Sequence, residues 1–347
     1  MLRKPLDTLA SVVQLAQDCI RNKPLILLGS GASAAYGLPG MWPLGQHLSS
    51  STLPTGISPA EVESWGHFLQ ALPLSNLEQA LTDVSLSSDL TKHVVRTTWN
   101  YLNPHDIRIF ERVCVDRKLL ALSKLYQYLF ASTAREIHVV TPNYDRLAEY
   151  AANAAGFMVY TGFSYGLIGR RAPSPPPKIY EGNQQSRTVS VWKVHGCFGW
   201  FANAEGIVTG LPPVHRCPDG MEPVIVTPGI EKYRRTHDEP FRTIMHCADR
   251  CMQNAPAYLC VGYGFNDQHL QTLLVERCQN EDVPLVLITQ KISATAHAFF
   301  ASGKCRRFLA LEQDGLNTKM FSTEFQHGVV IPNSGIWQLD DFLKLVI

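Results

Sequence analysis

The chain has 347 residues, 45% hydrophobic and 18% charged, the composition of an ordinary folded protein with one large domain or two modest ones. Its 31 basic residues stand against 30 acidic ones, so no charge excess argues for direct nucleic-acid or membrane-surface binding. The longest apolar runs, PLILL and VPLVLI, are too short to cross a bilayer, and the N-terminus lacks the unbroken apolar stretch of a secretory signal.

In chain order, MLRKPLDTLASVVQLAQ comes first and sets Leu9, Val12, Val13, Ala16 and Ile20 at helical spacing. The run PLILLG (24–29) predicts a strand, and GSGASAAYGLPG (29–40) follows it as a turn into a helix. Residues 45–132 then read as a mainly helical insertion. Ser58 to Glu61 and Ser75 to Glu78 have capping-box spacing, and DRKLLALSKLYQYLFAS (116–132) reads as one long helical pattern. Further strands are predicted at EIHVVT (136–141), VSVWKV (189–194), PVIVT (223–227), AYLCVG (257–262) and PLVLIT (284–289). Their continuous hydrophobicity suits strands buried on both faces. Helical patterns lie between several of them, at 145–155 and 267–278, and GRRAPSPPPK (169–178) reads as a proline-rich loop.

Strand–helix alternation of this kind predicts an α/β fold: a Rossmann-like, mainly parallel sheet with helices on both faces. The expectation is a single domain over 1–347 that carries the 45–132 insertion. The nine cysteines are odd in number and scattered from Cys19 to Cys305. Only Cys247 and Cys251 lie close, on one helical face, and no second pair accompanies them. The expectation is reduced thiols in a cytoplasmic protein, with no metal.

Ligands of a parallel sheet sit beyond the carboxyl ends of its strands. Four turns leave those ends: GSGAS after the first strand, TPNYD after the second, HG after the third and GYGFND after the fifth. Gly29, Gly31 and Ala34 fit G-x-G-x-x-A spacing, which serves a dinucleotide phosphate or a tight packing corner equally well. A dehydrogenase also needs an acid roughly 20 residues on for the ribose. Here that region reads SSSTLPTG, with no acid until Glu61, which disfavours hydride transfer. Asn143 reads either as a helix cap or as a site residue, and Asp145 as a residue at a helix start. His195 is placed at the mouth of the pocket, and Asn266 and Asp267 read either as caps of the following helix or as part of the rim.

Together the four turns resemble the sirtuin-like family, in its bacterial branch without the zinc module. GSGASAAYGLPG is similar to the family's loop over NAD, TPNYD to its Thr-x-Asn-x-Asp motif, KVHG to its histidine motif and VGYGFND to its later nucleotide-binding loop. The resemblance runs over about residues 24–290. Two departures point away from the protein-deacylating members. The chain lacks their paired zinc cysteines, and Pro39-Gly40-Met41-Trp42 replaces their Pro-Asp-Phe-Arg.

The resemblance implies hydrolysis of NAD+, the substrate, to nicotinamide and ADP-ribose by a regulated effector of anti-phage defence. It implies catalytic roles for Asn143, His195 and Asp145. It also implies nucleotide contacts from Gly29, Ser30, Gly31, Ala32, Ser33, Gly37, Pro39, Gly262, Gly264, Asn266 and Asp267. Protein deacylation and non-catalytic nucleotide binding are the alternative readings. The expected partners are further copies of the chain and a HerA-like ATPase or another defence-island protein supplying the trigger, because the chain ends at WQLDDFLKLVI soon after the last α/β elements.

Overall fold

A computed structural model describes residues 5–172, 177–227 and 238–347. The centre of the proline-rich loop, 173–176, lies outside them, as does the side chain of Leu9. The strands are β1 (Leu25–Leu28), β2 (Glu136–Thr141), β3 (Met158–Tyr160), β4 (Gly169–Arg170), β5 (Tyr180–Glu181), β6 (Gln184–Gln185), β7 (Thr188–Lys193) and β8 (Gly196–Ala202). They continue with β9 (Val208–Gly210), β10 (Glu222–Ile225), β11 (Tyr258–Val261), β12 (Leu285–Ile288), β13 (Phe308–Asp314), β14 (Asn317–Ser322) and β15 (Val329–Ile331).

Nine strands form the central sheet in the order β15-β14-β13-β12-β11-β1-β2-β7-β3. Every pairing from β13 to β3 is parallel, and β14 and β15 add an antiparallel edge. The fold is therefore mixed α/β with a largely parallel central sheet, as the strand–helix alternation predicts. Both faces of that sheet are covered, which is why its strands are apolar without alternation. In β1, Leu25 and Leu27 join the core on one face while Ile26 and Leu28 join the core on the other.

The PVIVT run lies elsewhere. As β10 it pairs antiparallel with β8 in a small second sheet, β10-β8-β9-β4, not in the parallel one. Burial on both faces gives the same sequence signature in either sheet.

Helix α1 (Pro5–Arg21) packs Val12, Ala16 and Ile20 into the core, and the short α2 (Ser30–Ala34) leaves β1. Five helices follow before β2: α3 (Met41–Ser49), α4 (Pro59–Ala71), α5 (Leu77–Asp83), α6 (Ser88–Val115) and α7 (Ala121–Phe130). Ser58 and Glu61 make the full capping box of α4. Asn76, not Ser75, caps α5, which leaves Glu78 free of that role. Only the later part of the 116–132 pattern is helical, because α6 ends at Val115 and α7 begins only at Ala121. The Asp116 carboxylate accepts from the Lys118 N–H and turns the chain there.

Helices α3 to α6 share a third core, built on Trp65, Phe68 and Trp99, which closes over Phe198 and Phe201 of β8. The later helices are α8 (Leu147–Ala154), α9 (Phe241–Gln253), α10 (Gln268–Asn280), α11 (Ala294–Ala301) and α12 (Leu339–Val346). No helix among the described residues is long and apolar enough to cross a membrane.

Candidate active site

The chain leaves β1, the middle of the parallel array, toward β2 on one side and returns to β11 on the other. That reversal of strand order opens a crevice beyond the carboxyl ends of β1, β2 and β11, the usual ligand position in such sheets. A cavity of about 220 Å³ lies there. Gly29, Ser30, Pro39, Asn143, Asp145, His195, Gly264, Asn266 and Asp267 line it. Gly31, Ala32, Ser33, Gly37 and Gly262 do not. The insertion supplies part of the wall through Glu78 and Leu102, and Met41 and Leu44 just before it add to the same wall.

The glycines of the first and last turns face each other. The Gly29 N–H donates to the Val261 carbonyl at 3.0 Å and the Gly31 N–H to the Gly262 carbonyl at 3.1 Å. A Cβ on Gly29 would lie 2.2 Å from the Gly262 oxygen, and one on Gly262 would lie 2.1 Å from the Ala32 nitrogen. Gly262 also has φ of 57°, a left-handed conformation that costs other residues energy. Packing of one backbone on another therefore accounts for these three glycines. It also engages the Gly31 amide, leaving Gly29 and Ser30 as the parts of this turn that reach the cavity. Phe265, three residues on, is buried with φ of 58°, a strained value for an aromatic residue, at the same rim.

In TPNYD, Thr141 ends β2 and its hydroxyl donates to the Leu28 carbonyl at 2.8 Å, tying this turn to β1. The same oxygen accepts from the Asn143 N–H at 3.0 Å. The Asn143 side-chain amide donates to the Gly29 carbonyl at 2.9 Å and to Ser33 Oγ at 3.2 Å. Its nitrogen is thus committed to protein acceptors and fixes the group, leaving the Oδ1 acceptor for a bound molecule. Tyr144 reaches across to donate to the Val226 carbonyl at 2.6 Å, which joins the turn to the end of β10.

Asp145 is buried. It accepts from Ser33 Oγ at 2.7 Å and from the Leu147 N–H at 3.2 Å, holding the start of α8. Burial pushes its carboxyl up, against the opposing pull of Lys193 and Ser33. Lys193, the last residue of β7, is fully buried; its ammonium donates to the Asp145 carbonyl oxygen and lies 3.2 Å from Glu149. Burial disfavours that charge, but the Glu149 and Asp145 carboxylates outweigh it and keep the lysine protonated. A second buried pair stands behind it. Asp106 of α6 accepts from the Arg146 guanidinium at 2.6 Å, the Arg146 N–H at 2.7 Å and the Tyr150 hydroxyl at 2.6 Å. Neither network is legible in the sequence, because Asp106 and Arg146 sit in unrelated stretches.

His195 leaves β7, and Gly196 turns the chain at φ of 93° so close to β10 that a Cβ would lie 2.3 Å from the Val224 oxygen. The KVHG spacing is thus a corner that aims the imidazole at the cavity. There His195 Nε2 lies 3.0 Å from Asp267 Oδ2. Asp267 does cap α10, since its Oδ1 accepts from the Leu270 N–H at 3.1 Å, so it holds both roles that the sequence leaves open. Asn266 is exposed on the rim and accepts from Thr295 at 3.3 Å. Cys247 and Cys251 lie on α9 by a separate cavity at the opposite strand ends. No cluster of three or more metal-ligating side chains occurs among the described residues.

A search among curated proteins finds no match. Solved structures with overall likeness include a Sir2 homologue bound to 2'-O-acetyl ADP ribose, at 13% identity and TM-score 0.38, covering 82% of this chain and 86% of that one. Another is a Sir2 homologue–NAD complex at 12% identity and TM-score 0.39, covering 81% and 83%. The sequence match is more specific: from β2 through α11, residues 137–304 match the SIR2-like domain family, and both Asn143 and His195 fall within the match.

Proposed function

We propose that this protein is a sirtuin-like NAD+ hydrolase that cleaves the nicotinamide–ribose bond, and that it serves as a regulated NAD-depleting effector of anti-phage defence. The observation that carries the reading is the meeting of Asn143 and His195 on one cavity, inside the stretch that matches the SIR2-like domain.

The chemistry suits the residues. Breaking the glycosidic bond builds positive charge on the ribose, as in glycoside hydrolysis. Nicotinamide leaves without acid assistance, because its ring nitrogen is already cationic in NAD+ and takes the bonding pair. What remains is to place the ribose, stabilise the developing charge and deliver a water. Asn143 Oδ1 is positioned to accept from a ribose hydroxyl or that water. Glu78, Asp145 and Asp267 put carboxyl groups around the cavity, where an incipient cation gains most. His195 takes the proton of the attacking water. A cavity of about 220 Å³ is smaller than the usual 300–1,000 Å³ of ligand pockets. It takes the ribosyl-nicotinamide end, with the rest of the dinucleotide along the open rim at Ser30, Gly264 and Asn266.

The test is nicotinamide release from purified protein, alone and with candidate partner chains, without any acylated peptide. Asn143→Ala and His195→Ala are expected to abolish release while leaving circular dichroism and the unfolding midpoint near wild type. Full turnover in both folded variants refutes the assignment, and release only when an acylated peptide is present transfers the protein to the deacylases. By the same family resemblance, the activating partner is a second copy of the chain or a HerA-like ATPase, a proposal that size-exclusion chromatography of mixtures tests.

A further inference from the structure

We propose that Asp267 is the positioning residue of His195, fixing the imidazole with its proton on Nε2 so that Nδ1 is the nitrogen that accepts the proton from water. The inference rests on the hydrolase reading above and assigns a part of it that the motifs leave open.

Capping a helix takes one carboxylate oxygen, and an asparagine does it as well as an aspartate. Asp267 spends Oδ1 on that task, at 3.1 Å from the Leu270 N–H. Its second oxygen does not turn to solvent. The side chain is 5% exposed, and Oδ2 sits 3.0 Å from His195 Nε2. The contact is an ion-pair approach outside hydrogen-bond geometry. A carboxylate offers only lone pairs at that distance, so the ring nitrogen facing it is the one to carry the proton. Among the described residues no group bonds Nδ1, and the ring itself lines the cavity. In that tautomer the lone pair lies on Nδ1. As C1' loses nicotinamide with its bonding pair, the water oxygen forms the new bond to C1' and one of its protons passes to Nδ1. The imidazolium so formed lies against the Asp267 carboxylate, while Asp145 and Glu78 line the same cavity. The pair also ties the β7–β8 corner to the start of α10, two elements far apart in the chain. A histidine held at its far nitrogen by a buried carboxylate is the orienting logic of hydrolytic triads, with a water in place of the serine.

Asp267→Asn separates the two roles of this side chain. The amide oxygen still caps α10, whereas its NH2 group now faces Nε2 and demands a lone pair there, moving the ring proton to Nδ1. Two measurements on the full-length protein decide the matter. The first is the ¹⁵N imidazole spectrum of His195, identified by its loss in His195→Ala. Wild type is expected to show the Nε2–H form and Asp267→Asn the Nδ1–H form. The second is NAD+ turnover, in which Asp267→Asn is expected to lose roughly 10²-fold or more in kcat, the scale of a disabled general base, with KM little changed. His195→Ala/Asp267→Asn is expected to be no slower than His195→Ala alone, since the residues act as a unit. An Nδ1–H ring in wild type, wild-type kcat in Asp267→Asn, or additive losses in the double variant each overturn the proposal. Absence of nicotinamide release from wild type under all partner conditions instead defeats the hydrolase reading, and the spectrum still decides the orientation.

Discussion

Replacing Gly262 by alanine puts a methyl group into a seam where no side chain can move aside. The atoms it meets are backbone: the Ala32 nitrogen at 2.1 Å, the Gly31 carbonyl carbon at 2.4 Å and the Gly31 Cα at 2.6 Å. The φ of 57° adds roughly 1–2 kcal/mol for a residue with a Cβ. Forcing a methyl into closed packing costs about 1–3 kcal/mol more. The sum, about 2–5 kcal/mol, is a large part of the 5–15 kcal/mol that typically holds a domain folded. Gly37→Ala is the control, with φ of 96° but no atom within 4 Å of the new Cβ, so it carries the backbone term alone. Urea unfolding read at an unchanged m-value measures both. Gly262→Ala is expected to lower the midpoint well beyond Gly37→Ala. Equal midpoints, or a Gly262→Ala protein within about 0.5 kcal/mol of wild type, would refute the claim that the two turns close on each other.

Asp106→Ala strips the buried Arg146 of its carboxylate and Tyr150 of its acceptor, so about 3–5 kcal/mol of stability should be lost, with nicotinamide release falling alongside although Asp106 lines no part of the cavity. Calorimetric unfolding and the release assay check this together. Asp340 of α12 lies against Lys124 of α7, with Lys344 at 3.1 Å, and the Lys124 contact first and Lys344 second hold its carboxyl below the usual range. A depressed acid contributes stability above its unfolded pKa of about 3.9 and loses it as pH falls through the folded value. Asp340→Asn should therefore flatten the stability curve below about pH 4, by less than ~1 kcal/mol because the groups are half exposed, and leave it unchanged in shape near neutrality.

The parallel core was legible because strands buried on both faces are continuous apolar runs, and Leu25–Leu28, Tyr258–Val261 and Leu285–Ile288 are such runs. The same signal misplaced Pro223–Ile225, since a strand caught between the small sheet and the parallel core looks identical along the chain. Strands β13 and β14, which turn back through Asp314-Gly315-Leu316-Asn317, carry mixed polar residues such as Glu312 and Lys319 and so escape a search for apolar runs. Helical spacing alone started the 116–132 pattern at Asp116, where a side-chain bond to the backbone makes a turn and the helix begins only at Ala121. At the cavity, turns that follow strands pointed to Asn143 and His195, because sheet topology brings strand ends together whatever their sequence distance. The pairing of His195 with Asp267 depends on how two loops are folded, and Glu78 enters from a helix whose cap lies one residue later than the spacing suggests. Neither carries a local signature.

The seam between Gly29, Gly31 and Gly262 bears on how this chain can change over generations. Each turn is the other's nearest neighbour, so a larger residue on either one is punished before any substrate arrives. A descendant that had lost its chemistry would still have to keep all three glycines to close the sheet's edge. On the proposed hydrolase reading, His195, freed from selection for turnover, would drift before Asn143, whose amide also holds Gly29 and Ser33. On that reading, the glycine signature marks shared ancestry among relatives of this protein, while the imidazole marks those still at work.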